Sequence, residues 1–269
     1  MESGGEARRT TPGGVWRLIV HAAEDPHWNM AVDSALHEAV ENALAPPTLR
    51  FYRWDRSAVT IGRHQDAARS VDLRACEELG VPVVRRPTGG RGILHGSDQT
   101  LSVAAPYARL GPDSGSICGS YALLHAGIRR ALAELGVPVS PGRERRSSSG
   151  VGDCFALRTP ADLVTADGHK VLGSAQRRGR VALLQQTSLL HLPPMQDPTR
   201  LFLGRPASFA YPLAEVDADE LVGALVCGFS QSLGIRLEPD TLSQWEVERA
   251  AVVAAARWSR PIVDRSPAV

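Results

Sequence analysis

Hydrophobic and polar positions change their period several times along this chain, and each change marks an element. Val15 to Val20 is a short apolar-rich run of strand length. From Asn29 to Leu44 the apolar residues Met30, Ala31, Leu36 and Val40 recur at helical spacing, and Pro46-Pro47 predicts the stop. Leu49 to Trp54 alternates apolar and polar residues, and Ala58 to Ile61 follows closely enough to predict a hairpin. Asp72 to Leu79 predicts a short helix closed by Gly80, and Val81 to Val84 and Gln99 to Ala105 two further strands. Ser116 to Leu135 is a long amphipathic helix ended by Gly136 and Pro138. The segment from Pro141 to Gly152 is polar, rich in serine and arginine, and predicts a mobile loop. Beyond it, Ala161 to Thr165 and Lys170 to Ala175 read as strands joined by Asp167-Gly168, a hairpin-turn pair, and Arg178-Gly179 turns the chain into Val181 to Leu190. Asp217 to Leu233 and Leu242 to Trp258 are closing helices. Strands bunched in hairpins, with helices between them, predict an α+β fold built on a mixed, largely antiparallel sheet flanked by helices.

Composition narrows this picture. A chain of 269 residues suits one large domain, over residues 15–258, with a core at 15–192 and a C-terminal helical part at 215–258. Residues 1–14, without an apolar stretch, and 259–269 read as tails. A net charge of +1 argues against a nucleic-acid partner, which would call for a clear basic excess. No apolar run is long enough to span a bilayer, so no membrane role is expected. Four scattered cysteines and no export signal point to free thiols in a reducing cytoplasm. The histidines lack His-Glu-x-x-His spacing and there is no Cys-x-x-Cys pair, so no metal site is expected.

One basic residue stands apart. Lys170 is the only lysine among 30 basic side chains, the rest being arginine. That bias points to a place where a compact ammonium with three rotatable donors is needed and a planar guanidinium will not serve. A second candidate is the turn Thr88-Gly89-Gly90-Arg91-Gly92, bracketed by Arg86 and Arg91 and followed by His95. Its glycines would let backbone approach an anionic or carbonyl-bearing ligand, although an ordinary tight turn could use them too. It lacks the Gly-Lys-Ser/Thr ending of a P-loop and the dinucleotide fingerprint. Among the thiols, Cys76 and Cys227 fall on apolar helix faces and read as core, while Cys118 opens a helix. Cys154 follows the arginine-rich loop, where cationic surroundings favour a thiolate nucleophile; an idle loop cysteine is the other reading. Ser174, between Gly173 and Ala175, suits either a pocket floor or close strand packing, and no nucleophile elbow is present.

Taken in order, several segments form a pattern: Asn29-Met30-Ala31-Val32-Asp33, Arg50-Phe51-Tyr52-Arg53-Trp54, Ile61-Gly62-Arg63-His64-Gln65, the run from Arg85 to His95, and Lys170-Val171-Leu172-Gly173-Ser174-Ala175-Gln176. Through them the chain resembles the biotin/lipoate protein ligase and lipoyl/octanoyl transferase family over about 15–192. The resemblance implies a core related to class II synthetases and transfer of a medium-chain acyl group onto a lysine of a lipoyl domain. Within the family, ligases activate lipoate with ATP and magnesium, whereas octanoyltransferases carry octanoate from acyl carrier protein on a cysteine. Arg91 after the paired glycines, and Cys154-Phe155 ahead of Lys170, look like the cysteine-dependent octanoyltransferase branch.

That branch implies Cys154 and Lys170 as catalytic residues. The implied substrate site is Arg86, Thr88, Gly89, Gly90, Arg91, His95, Gly173, Ser174, Ala175 and Gln186, with Arg86 and Arg91 supplying charge at the pocket mouth. The implied partners are octanoyl acyl carrier protein as donor and lipoyl domains or the glycine-cleavage H protein as acceptors. No cofactor is implied, ATP and magnesium being needed only by a ligase. Two segments depart from the family pattern. Gln185-Gln186-Thr187-Ser188 stands where Gln-His-Gly-Ser is usual, and Gln99-Thr100-Leu101-Ser102-Val103 where Leu-Thr-Tyr-Ser-Val is commoner. The alternatives are an ATP-dependent lipoate ligase, an amidotransferase between lipoyl proteins, and a non-catalytic acyl- or nucleotide-binding module.

Overall fold

The computed structural model describes residues 14–142, 152–157, 159, 161–204, 207, 209–258 and 262. The expected tails lie outside these residues, except that Gly14 opens the first strand and Ile262 packs against the apolar cluster around Ile61 and Leu201. Most of the expected loop at 141–152 also lies outside them. In chain order the elements are β1 (Gly14–Glu24), α1 (Pro26–Glu41), β2 (Thr48–Trp54), β3 (Ala58–Ile61), α2 (Leu73–Glu78), β4 (Val83–Arg85), β5 (Ile93–His95) and β6 (Asp98–Pro106). There follow α3 (Tyr107–Leu110), a 3-10 turn at Pro112–Gly115, α4 (Ile117–Glu134), β7 (Ser140–Pro141), β8 (Leu163–Val164), β9 (Leu172–Arg178) and β10 (Ala182–Leu190). The chain closes with α5 (Pro198–Leu201), α6 (Ala218–Leu233), β11 (Ile235–Pro239) and α7 (Gln244–Trp258).

Six strands pair in the order β11-β1-β2-β6-β10-β9. β1 runs parallel to both its neighbours, and the remaining pairings are antiparallel, as the α+β reading expects. Side-chain alternation gives the sheet two apolar faces. Leu101, Val103, Leu183 and Leu189 meet Leu124, Ile128 and Leu132 of α4 and Leu225 and Phe229 of α6. Ala104, Ala182 and Leu184 meet Ala31, Ala35 and Leu36 of α1 and Ala250 and Ala254 of α7. Each fully buried leucine or phenylalanine contributes about 1.5–3 kcal/mol, so the C-terminal helices help build both layers. No helix among the described residues is long and apolar enough to cross a membrane.

Three expectations are corrected. β2 and β3 do not form a hairpin: β2 joins β1 and β6, while β3 pairs with β4 and β5 in a separate sheet. All four residues of β3 are buried, and a strand without a solvent face finds partners on both sides. The Asp167-Gly168 turn does form, with Gly168 at φ 83°, yet a single bridge from Val164 to Lys170 is all the ladder it closes. Lys170 therefore precedes β9, which pairs with β10 instead. Cys227 is half-buried rather than core, its sulfur facing the Gln231 amide at 3.0 Å, whereas Cys76 is buried as expected.

Helix α1 also stops earlier than its prolines require. The Ala43 amide reaches the Val40 carbonyl at 3.2 Å and the Leu44 amide reaches the Ala39 carbonyl at 2.8 Å, the two bonds of a Schellman turn. Such a turn needs a left-handed residue, and here Ala43 takes that role at φ 56°. Alanine at this exposed position is strained where glycine would not be. Ala43→Gly should therefore raise stability by about 1 kcal/mol, read as a higher midpoint in thermal or denaturant unfolding. An unchanged or lower midpoint would contradict this account of the stop.

Candidate active site

Cys154 is delivered by a short extended segment lying beside the glycine turn. The Gly92 amide donates to the Gly152 carbonyl at 2.9 Å and the Cys154 amide to the Gly92 carbonyl at 2.8 Å, with a parallel bridge between Gly92 and Asp153. Any side chain on Gly92 would block this approach, since an added Cβ would lie 2.5 Å from the Phe202 ring. Gly62 is needed for the same reason, its added Cβ falling 2.0 Å from the Gly90 carbonyl oxygen. The half-buried Cys154 sulfur then rests over β9 at Gly173, where a Cβ would stand 3.2 Å from Sγ and 3.1 Å from the Ile93 Cδ1.

Lys170 comes up beneath this segment. Its Nζ donates to the Cys154 carbonyl at 2.9 Å and to the Leu157 carbonyl at 3.3 Å, pairs with Asp162 Oδ1 at 2.9 Å, and lies 3.4 Å from Cys154 Sγ. An ammonium has three N–H groups, so these four acceptors saturate it. Asp162 is itself held, its other oxygen accepting from the Thr159 amide at 2.6 Å and hydroxyl at 3.0 Å. Burial works to lower the Lys170 pKa, but the Cys154 sulfur and the Asp162 carboxylate outweigh it and hold the ammonium above its ordinary value. Asp162 was not among the sequence candidates. A lone carboxylate in an otherwise apolar strand segment ahead of the only lysine was the available signal.

Arg86 lines the cleft beneath the glycine turn from inside rather than standing at its mouth. Its side chain is buried, with Nη2 donating to the carbonyls of Gly89 at 2.5 Å and Arg91 at 2.8 Å, and Nη1 to the Thr60 hydroxyl at 3.3 Å. It thus braces the glycine turn from inside. Burial lowers its pKa to about 10, against an opposing pull from Cys154, Tyr121 and Tyr52. Among the described residues no carboxylate lies within ion-pair distance of it. Arg91 is half-buried, Gly90 has φ 85°, and the space beside Gly89 is open.

Between the turn and the sheet lies a cleft of about 280 Å³, lined by Met30, Tyr52, Trp54, Ile93, His95, Gly173, Ala175 and Gln186. His95 lines it as a fixed wall. Its two ring nitrogens face Asp98 and Thr60, each at 2.8 Å, and its ring stacks on Trp54 at 4.0 Å. Burial acts to raise the Asp98 carboxyl, but His95, Ser188 and Thr100 outweigh it and hold it below the usual carboxylate range. Gln186 donates to Asp33 at 2.7 Å and accepts from the buried Thr88 hydroxyl at 2.7 Å. Asp33 in turn accepts from Arg50, Tyr52 and Ser102, each at 2.8 Å. The polar pair Asn29 and Asp33, one turn apart on the apolar face of α1, was the sequence sign of this network.

Ser174 is not in the cleft. It alternates with Gly173 and Ala175, so its hydroxyl meets Thr187 at 2.8 Å and His125 at 3.0 Å on the α4 side of the sheet. Tyr121, which sequence reasoning passed over, reaches from α4 to the Ser174 carbonyl at 3.4 Å. Burial pushes its hydroxyl well above the ordinary tyrosine value, with Cys154 and Asp162 adding to the effect.

Asp153 faces a different cleft, walled by Phe155, Phe202, Phe209 and Tyr211. Burial raises its carboxyl pKa from 3.8 to about 6, against the amide of Phe155 and the charge of Lys170. A raised carboxyl favours folding while protonated, and that contribution is lost as pH rises through about 6. Asp153→Asn should therefore gain up to about 3 kcal/mol over the wild type at pH 8, and the gain should vanish near pH 4. Unfolding midpoints of both proteins at the two pH values check this; a pH-independent difference would refute it.

Residues 25–219 match the lipoyl protein ligase A/B catalytic domain. Octanoyltransferase LipM of Kyrpidia tusciae is 36% identical over 262 residues, spanning 89% of this chain and 95% of that protein. Octanoyltransferase LipM of an Exiguobacterium species is 40% identical over 186 residues, 66% of each. The putative lipoate protein ligase of T. acidophilum with bound lipoic acid superposes with a TM-score of 0.75 at 25% identity, covering 89% of this chain and 95% of that one. The chain belongs to the lipoyl protein ligase A/B catalytic domain family, with LipM octanoyltransferases among its relatives.

Proposed function

We propose that this protein is an octanoyltransferase of lipoate biosynthesis that carries its acyl group on Cys154. The observation that carries the covalent route is the 3.4 Å approach of the Lys170 ammonium to Cys154 Sγ above Gly173, at an apolar cleft. Arg86 supports it. A buried guanidinium without a carboxylate partner is costly, and negative charge developing at the sulfur or at an acyl oxygen relieves that cost.

The donor is octanoyl acyl carrier protein. The Cys154 thiolate attacks the donor's thioester carbonyl, whose oxygen takes the negative charge. The donor C–S bond then breaks, the carrier leaves as a thiolate that picks up a proton, and octanoyl remains on Sγ. In the second half, the neutral amine of a target lysine on a lipoyl domain or a glycine-cleavage H protein attacks this thioester. The C–N bond forms, the C–Sγ bond breaks, the nitrogen gives up its proton, and Cys154 returns as a thiolate. Exchange between thioesters is nearly balanced and amide formation from a thioester is downhill, so the sequence needs neither ATP nor a metal ion. Lys170 anchors the nucleophile segment, and by releasing a carbonyl it could turn one N–H toward the developing oxyanion, a donor worth roughly 3–4 kcal/mol in comparable sites. The four free cysteines support placing the reaction in a reducing cytoplasm.

Incubation with octanoyl carrier protein alone should add the mass of one octanoyl group to Cys154, and addition of a lipoyl domain should move it there. Cys154→Ala should abolish both steps while remaining folded. Lys170→Arg should lose about 10²–10³ in kcat, because a planar guanidinium does not fit four acceptors converging on one point. Gly173→Ala should cut acylation sharply by pressing a methyl group against Sγ. Transfer from octanoate, ATP and magnesium, with pyrophosphate release and full activity in Cys154→Ala, would establish the ligase reading instead. Transfer only from an octanoylated H protein would indicate amidotransfer.

A further inference from the structure

On β9 the alternate residues Gly173, Ala175 and Arg177 share one face. The first two floor the acyl cleft, and the third lines an open groove beyond the glycine turn, opposite Arg63. Arg63 is placed there by its amide, which donates to the Thr88 carbonyl at 2.8 Å. The other charges of this groove are accounted for. Arg249 pairs with Glu38 at 2.9 Å. Glu41 accepts from the amides of Arg180 at 2.7 Å and Ala182 at 2.8 Å, capping the turn after β9. Arg178 donates to the carbonyls of Ser114 and Gly115, both at 2.9 Å. His37 faces the Ala182 carbonyl at 3.5 Å, and burial and then Arg177 hold its pKa below the ordinary value. The exposed Arg63 and half-buried Arg177 guanidinia have no hydrogen bond or ion pair among the described residues. Burial and the nearby Arg63 lower the Arg177 pKa, while Glu38 and Glu41 oppose this from beyond ion-pair distance.

Two cations lining one groove, with no counter-ion in contact among the described residues, form a receptor for a compact anion. Position says which one. Gly173 lies under the Cys154 sulfur, and four residues of strand place Arg177 about 13 Å further along the same face. A thioester donor bearing its acyl carbon at Sγ would extend its thiol arm along this track. A phosphopantetheine arm carries a phosphodiester at comparable reach.

We infer that Arg63 and Arg177 bind the phosphate of the phosphopantetheine arm of the acyl donor, and so hold its thioester over Cys154. This rests on the transferase reading above. The test compares two donors, octanoyl-4′-phosphopantetheine and octanoyl-pantetheine, which lacks the phosphate. Acylation of Cys154 is followed by intact-protein mass spectrometry over a range of donor concentrations. The wild type should prefer the phosphorylated donor, and Arg63→Ala/Arg177→Ala should reduce that preference roughly tenfold, chiefly through weaker donor binding. Arg177→Glu should reduce it further, and Arg63→Ala alone, at an exposed position, serves if the double variant is unstable. A preference unchanged in the variants, or absent from the wild type, overturns the inference while leaving the transferase reading intact. Wild-type protein acylated by neither donor, nor by octanoyl carrier protein, removes both.

Discussion

A buried ammonium must be neutralised and hydrogen-bonded, and the active site is arranged around meeting that demand for Lys170. Its four acceptors come from one stretch ahead of the Asp167-Gly168 turn: the carbonyl and sulfur of Cys154, the Leu157 carbonyl, and Asp162. The Cys154 segment, which shares no ladder with the Lys170 segment, is thereby drawn to it. Removing Lys170 would leave Asp162 as a buried carboxylate with no cation, a loss that costs more than the ion pair itself contributes. The lysine is therefore a structural clamp on the Cys154 segment, beside the chemical role proposed for it. The same fact bears on why arginine should not replace it.

The second constraint is the free edge of β9. An unpaired strand edge presents amides and carbonyls that call for cover. Here the Gly89 amide approaches the Gln176 carbonyl at 3.5 Å and the Tyr121 hydroxyl the Ser174 carbonyl at 3.4 Å. The glycine turn and α4 thus close the edge from two sides. Small residues follow from this crowding: Gly173 clears the sulfur, and Ala175 meets the turn, where a Cβ on Gly90 would stand 3.5 Å from its own. On the opposite face, Ser174 and Thr187 form a hydroxyl pair that joins β9 to β10. Thr187 occupies one of the positions departing from the family pattern, and its hydroxyl has been absorbed into packing on the side away from the acyl cleft.

Helices and the central strands were legible because their side chains obey one period over many residues. The pairing of the small second sheet beside the site was not, because its strands are short and almost wholly buried. Ala58 to Ile61 carries no alternation to say which sheet it joins, and Ile93 to His95 is too brief to register. The C-terminal strand at 235–239 hides behind Gly234, which ends α6 in the left-handed conformation. Site residues divide in the same way. Cys154 and Lys170 stand out by chemistry and by scarcity, and they meet as expected. Arg86 shows the limit of such reasoning, since charge alone does not say that the group lines the cleft from inside and braces the turn rather than standing at its mouth. Ser174 shows another, because neighbours in sequence point to opposite faces of a strand, and only the register says which face is the cleft.

Charge accounting links these observations to mechanism. Among the described residues around Cys154, Lys170 and Arg86 are buried cations, and only the first has a carboxylate in contact. Arg86 spends its donors on neutral oxygens of Thr60, Gly89 and Arg91. Contact with neutral oxygens alone leaves the Arg86 charge in a poorly solvated space, where such charge is most costly. In the proposed reaction, the oxyanion formed when the sulfur attacks the donor carbonyl supplies a counter-charge. The guanidinium stays fixed under the turn throughout, so its field is in place before the reaction begins and costs no reorganisation when negative charge appears. A brace that stands inside the cleft rather than at its mouth is thereby placed to favour the oxyanions of both halves of the proposed transfer.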